Sequence, residues 1–191
     1  MVREDIARAA QQLGGEVIPD DVLLDTVTHL VEYSAVSAGT FDESFLEVPR
    51  EVLITAMREH QKYFAVVDPA GQLMPAFIAI NNTRTRVLAL VATGHERVLR
   101  ARLSDAQFFY RADLKVSAEE RLEKLSGVLF QADLGSMRAK SKRIAALGRY
   151  LVDAVGGDAD LARQVERAAT LCKTDLVSQV VVEFPKLQGV M

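Results

Sequence analysis

Apolar positions recur along this chain at two spacings, and the changes between them mark out the elements. Ile6, Ala9, Ala10 and Leu13 form a helical stripe over residues 3–13. Gly14-Gly15 ends it, since glycine accepts the left-handed conformation that helix C-termini favour. Asp20 or Asp21 can cap a second helix, with Leu23, Leu24, Val27, Leu30 and Val31 inward. Residues 34–40 are small, include a glycine and read as a loop. Pro49 suits the first turn of a third helix, whose buried face is Val52, Leu53, Ala56 and Met57. Then the spacing shortens. Residues 63–67 and 73–80 are rich in β-branched and aromatic side chains, and Asp68-Pro69-Ala70-Gly71 between them has turn chemistry. This predicts a β-hairpin, with Pro75 placing one end at an edge or a bulge. Residues 87–91 fit either a short strand or the lead into the next helix.

From residue 94 onward every signal is helical. Residues 94–115, GHERVLRARLSDAQFFYRADLK, put Val98, Leu99, Leu103, Ala106, Phe109 and Tyr110 on one arc. Arg97 and Arg100 lie off the arc, whereas Arg102 lies inside it and calls for a carboxylate, Asp105 or Asp113. Ser117 and Glu120 have capping-box spacing for a helix with Leu122, Leu125, Leu129 and Ala132 inward, ended by Gly135. The next helix covers residues 136–154, with Met137, Ile144, Leu147 and Leu151 inward and Arg138, Lys142 and Arg149 on a common outer line. A last helix starts near Asp158, buries Val165, Ala169, Cys172 and Leu176, and ends near Phe184, before Pro185. After Leu187 no cap or closing element is evident, as in an excised piece. The expected class is α+β: a mixed helix and hairpin part over 1–91, the end of a larger domain, then a helical domain over 92–191, truncated at its C-terminal end.

Charge changes this picture more than composition does. The net charge is −3, yet Arg84, Arg86, Arg97, Arg100, Arg102 and His95 face a single acid, Glu96, over residues 84–102. Residues 134–152 hold no acid but contain Arg138, Lys140, Lys142, Arg143 and Arg149. Arg97, Arg100, Arg138, Lys142 and Arg149 are therefore candidate phosphate contacts, because cations that neutralise phosphates drive salt-dependent nucleic-acid binding. Solvated helix surface is the plainer reading of each. His60, Lys62 and Tyr63, at the junction before the first hairpin strand, could meet unpaired RNA bases or simply pack. The Phe108-Phe109-Tyr110 run is a stacking platform or, more ordinarily, core. His95 is an extra cap or phosphate donor, or structural. The single cysteine, Cys172, excludes an internal disulfide, suits a reducing cytosol and reads as a buried thiol. No apolar run is long enough to span a bilayer and no signal peptide opens the chain, so a cytoplasmic protein without a membrane partner is expected. Neither CxxC nor HExxH occurs, nor a glycine-rich phosphate loop.

Several longer motifs occur in one order. FDESFLEVPREVLITAMREHQKYFAVVD (41–68), FIAINN (77–82), residues 94–115, ERLEKLSGVLFQADLGSMRAKSKRI (120–144), ATLCKTDLVSQVVVEFPKLQGVM (169–191) and VTHLVEY (27–33) resemble the β subunit of bacterial heterotetrameric glycyl-tRNA synthetase. The resemblance covers nearly the whole chain and implies an internal piece of a much longer subunit. It implies partners, glycine tRNA and the α subunit of an α2β2 assembly, and a supporting role in tRNA glycylation by binding and positioning tRNA. ATP and Mg would serve the whole synthetase, whose adenylation site is on the α subunit; this piece would bind no cofactor and hold no catalytic site. The helical half resembles an HD-type domain, related in fold to metal-dependent phosphohydrolases. The position matching the paired ligand motif reads Lys173-Thr174-Asp175, with threonine where histidine belongs, so Asp175 marks a degenerate site without its metal. Two other readings stand beside this one: a scaffold that docks the α subunit without touching RNA, and a metal-dependent phosphohydrolase of HD type.

Overall fold

The hairpin around Asp68 is the centre of a four-stranded antiparallel sheet. The computed structural model describes residues 2–83 and 87–191. Arg84 and Arg86, two of the arginines counted above, lie outside the described residues. The fold is α+β, and the chain divides into two compact units, Met1–Phe108 and Phe109–Met191. That division falls inside a long helix. The 91/92 boundary expected from the sequence is a different cut, drawn where the character of the chain changes.

The first unit contains α1 (Val2–Gln12), β1 (Glu16–Val17), α2 (Asp21–Leu30), β2 (Ala35–Thr40), α3 (Arg50–Gln61), β3 (Phe64–Val67), β4 (Leu73–Asn81) and most of α4 (Leu88–Asp113). The sheet order is β1-β3-β4-β2. The turn forms as its chemistry predicts: Asp68 accepts the amides of Ala70 and Gln72 on its side chain, and Gly71 takes φ +80°. The register of β3 on β4 shifts between Ala65 and Val67, so Pro75 lies beside a bulge inside the sheet. One sheet face packs Phe64, Val66, Ala76 and Ile78 against Ile6, Ala10, Leu23 and Val27 of α1 and α2. Leu30, expected inward, is exposed, one turn beyond that contact.

Of residues 34–40, expected as a loop, 35–40 are the strand β2. Their small side chains are required by what lies beside them: a Cβ on Gly39 would sit 2.5 Å from the Phe77 ring. Residues 88–91 begin α4, which settles the strand-or-helix alternative for that stretch. On α4 the buried face is Leu99, Leu103 and Ala106, narrower than the expected arc. Val98 and Arg102 fall outside it, so Arg102 is exposed and needs no buried carboxylate. Phe108 points out, whereas Phe109 and Tyr110 are half-buried.

The second unit holds α5 (Ala118–Lys124), β5 (Leu129–Gln131), β6 (Gly135–Ser136), α6 (Met137–Ala154), α7 (Ala159–Leu171) and α8 (Gln179–Glu183). Ser117 and Glu120 exchange both bonds of the capping box. The helix they start is nonetheless short, and residues 129–136 form a hairpin where helix was expected. The Gln131 side chain accepts the amides of Asp133 and Leu134, closing a turn that competes with the helix. Leu129, expected inward, is exposed. On α6 the buried positions are Met137, Ser141, Ala145 and Val152, not Leu147 and Leu151. Small residues let α7 come close: a Cβ on Gly148 would meet Val165 Cγ1 at 2.9 Å. The expected helix over 158–184 is broken. The Thr174 hydroxyl donates to Leu171 O, and Ser178 caps α8 by accepting from Val181 N. Cys172 lies at the break and is exposed, not a buried thiol.

Candidate functional site

The basic line on α6 survives as a line, but its charge is shared. Helical spacing puts Arg138, Lys142 and Arg149 on one flank of the buried face. Arg138 pairs with Glu123 at the end of α5, and Arg149 pairs with Glu166 of α7 at 3.3 Å. Lys142 is exposed and has no carboxylate partner among the described residues. Of their neighbours, Arg143 donates to Leu134 O at 3.0 Å, and the Lys140 ammonium sits 3.7 Å from the Phe130 ring centre. Acids from adjacent elements thus meet a segment that contains none. In the other unit, Arg97 and Arg100 are both exposed on α4. Asp42 faces that helix: its carboxyl is held below the usual range by hydrogen bonds from Ser44, with the Arg100 charge adding to them.

The junction residues are dispersed. His60 is exposed at the end of α3. Lys62 ends that helix in the left-handed conformation, φ +56°, and its ammonium donates to Glu59 O at 3.0 Å. Tyr63 is 3% exposed and stacks on Phe77 with ring centres 4.7 Å apart. A ring so enclosed offers no face to an incoming base.

Tyr63 instead joins a polar network that the sequence pattern did not reveal. Its hydroxyl lies 2.8 Å from His95 Nδ1, and His95 Nε2 lies 2.8 Å from Asn81 Oδ1. The Asn81 amide nitrogen donates to Ala35 O and to Ser37 Oγ. That fixes the directions: Ala35 O can only accept, so Asn81 presents its oxygen to His95, which donates from Nε2. Nδ1 is then free to accept the Tyr63 proton. Burial pushes the Tyr63 hydroxyl up to about 12 and holds His95 below the usual histidine range. The neutral imidazole is therefore the form that fits. Both ring nitrogens are spent within the protein, which is the structural alternative for His95.

Asp175 serves the backbone. Its Oδ2 accepts the Gly189 amide at 2.7 Å, tying down the stretch after buried Leu187. Nearby, Asp113 at the end of α4 is 8% exposed, and its two oxygens accept the amides of Gln179 and Val180, each at 2.9 Å. Arg121 lies 3.6 Å from the same carboxylate and also donates to the Asp113 carbonyl. A pocket of about 130 Å³ lies here, walled in part by Asp113, Arg121, Thr174 and Asp175. Carboxylates committed to backbone amides are poor metal ligands, and the described residues contain no group of three or more His, Cys, Asp or Glu side chains placed to hold an ion. No described helix is long and apolar enough to cross a membrane.

Comparison with known proteins supplies what this geometry alone does not. The model of the family described as "Glycyl-tRNA synthetase beta subunit" matches residues 1–191. The chain is 53% identical to a glycine–tRNA ligase β subunit of Desulforapulum autotrophicum over 191 residues, which is 100% of this chain and 28% of that protein. The figures are the same for the corresponding subunit of Geobacter sp. strain M21. For that of Geobacter sulfurreducens they are 52% identity over 190 residues, 100% of this chain and 27% of the relative. The chain thus spans little more than a quarter of the length of these relatives. With its whole length matched and half its residues shared, the chain belongs to the glycyl-tRNA synthetase β-subunit family.

Proposed function

We propose that this chain supports ATP-dependent glycylation of tRNA as part of a synthetase β subunit, by holding glycine tRNA and contacting the rest of the enzyme. On this reading it works in the cytoplasm beside an α subunit that carries the adenylation chemistry with ATP and Mg. The carrying observation is the acid-free stretch 134–152, which lines one flank of α6 with Arg138, Lys142 and Arg149. Lys142 brings a charge that no described carboxylate offsets. The Arg149–Glu166 pair is at least half exposed on both sides, and such pairs contribute little and yield readily to a competing phosphate. An arginine released in this way can grip phosphate oxygens through two parallel bonds. Arg97 and Arg100 offer a second, separate set in the first unit.

The test is binding to glycine tRNA over a salt series, with wild type beside Arg138→Ala/Lys142→Ala/Arg149→Ala. Binding should weaken with salt, and the triple variant should lose up to about 2–3 units from the slope of log K against log salt, nearly one per phosphate contact. An unchanged slope, or no binding by wild type at low salt, would overturn the RNA role of this face. One observation favours a second reading, a scaffold for the α subunit. Leu147, Tyr150, Leu151 and Val155 of and after α6 are all exposed, an apolar surface of the kind that partners cover. Capture of α subunit in the absence of tRNA, lost on Leu147→Asp/Leu151→Asp, would support it.

A further inference from the structure

Among the described residues no strand pairs with the outer edge of β2. The register pairs Ala35 with Asn81 through Thr40 with Ala76, and Phe41 N donates to Pro75 O. Alternation in an antiparallel pair then turns Ser37 and Gly39 towards β4 and turns Val36, Ala38 and Thr40 outward. At Thr40 the outward amide is already satisfied, by Glu96 Oε1 of α4 at 2.9 Å. The backbone groups of Val36 and Ala38 have no such partner among the described residues. Beside them runs a groove of about 530 Å³, walled by Asp5, Arg8, Ala9 and Gln12 of α1 and by Leu88 and Ala89 of α4. The two helices stand on opposite faces of the sheet at this edge: α1 packs on the face of Val36 and Ala38, while α4 reaches Tyr63 and Asn81 on the other. In the same groove Ser34 Oγ is buried without a hydrogen-bond partner among the described residues.

We propose that this groove receives a fifth strand, and that the strand belongs to a part of the β-subunit polypeptide outside these 191 residues. An open row of donors and acceptors is a template for one more strand, and native edges are usually blunted or covered. Here only the Thr40 end is blunted. The groove walls carry one acid and one base, already paired through Arg8 and Asp5, so an uncharged strand suits it. A second copy of the chain fits badly, because an edge recessed between two helices cannot reach an identical recessed edge. The same polypeptide is favoured by length: about three quarters of each relative lies beyond the matched region. A tethered strand also binds at high effective concentration, which a free one lacks. The inference rests on family membership and not on any RNA contact.

Amide hydrogen exchange tests it, in a chimera of the Geobacter sulfurreducens relative that carries this chain in place of its matched residues. The Ser37 amide, bonded to β4, reports whether the sheet is formed. The Val36 and Ala38 amides report the edge. In the 191-residue chain alone they should exchange at least about 100-fold faster than Ser37, the ratio expected when a ladder bond is missing. In the chimera, without α subunit, they should slow to within about tenfold of Ser37. Fast exchange at Val36 and Ala38 in the chimera overturns the proposal. Protection that arises only when α subunit is added overturns the source and assigns the edge to the partner.

Discussion

In the first unit the large side chains Phe77, Leu53, Met57, Ile78, Leu99 and Leu103 are fully enclosed. In the second, Leu125 and Val180 are the comparable pair, while Leu129, Leu134, Leu147, Tyr150 and Leu151 stand exposed. The second unit replaces apolar bulk with carboxylates and hydroxyls placed on backbone amides: Asp113 on α8, Asp175 on Gly189, Asp158 on α7, Ser117 on α5. Such bonds are directional, so they fix where short helices begin without needing a thick core. The first unit is held by volume and the second by the satisfaction of helix ends. An assembly protein can use the second kind of unit, because it leaves apolar side chains free for a partner.

Truncating one enclosed residue of each kind tests that contrast most strongly. Phe77→Ala should cost about 3–5 kcal/mol, the usual range for deleting a buried phenylalanine. It should also strip the stacking partner from Tyr63. Asp113→Ala removes two charge-assisted bonds and leaves Arg121 without its carboxylate, and should cost about 2–4 kcal/mol. Denaturant midpoints with the amide exchange of Val180 as a local probe would read both. If Asp113→Ala costs less than about 1 kcal/mol while Phe77→Ala costs its full amount, helix-end satisfaction is not what holds the second unit.

Smaller effects separate the units by pH. His95 is held below its unfolded value by burial, so near neutrality folding binds no proton there. As pH falls below about 6.5 the unfolded chain takes up a proton and the folded chain does not, so stability declines until the folded value is passed. The stabilising contribution is thus complete above pH 6.5 and lost below the folded value. A His95→Gln variant should flatten this part of the profile in the first unit. If the slope between pH 6.5 and 5 is the same in both proteins, the imidazole is not the group responsible.

What the sequence made legible follows the same division. Helical stripes and turn chemistry located α1, the hairpin of β3 and β4, and the start of α5, because each depends on neighbours within a turn of helix or a tight loop. The strand over 35–40 was not legible: Ala35, Ser37, Ala38 and Gly39 have weak strand preference, and Gly39 is small because Phe77 lies against it. The true inner face of α6 was hidden in the same way, since Ser141, Ala145 and Gly148 look polar or neutral until α7 is brought against them. The basic residues could be found by counting, but their partners Glu123 and Glu166 come from other elements. The polar network failed for a further reason. Tyr63, Asn81 and His95 are far apart in the chain, and only the register of β2 on β4 brings Ser37 and Asn81 together.

The weakest of these effects is the one the sequence specified most fully. Ser117→Ala removes the hydroxyl that accepts the Glu120 amide, while Glu120 still reaches the Ser117 amide from its own side chain. Losing an N-cap of this kind costs about 1 kcal/mol. In a unit held by its core that loss would spread over the whole and leave local exchange unchanged. In a unit held by its helix ends, the first turn of α5 should open before the rest, so the amides of Glu120 and Arg121 should exchange faster than those of α6 in the variant. Equal acceleration across both helices would mean that the second unit unfolds as one body, and that its caps set its stability without setting its order of opening.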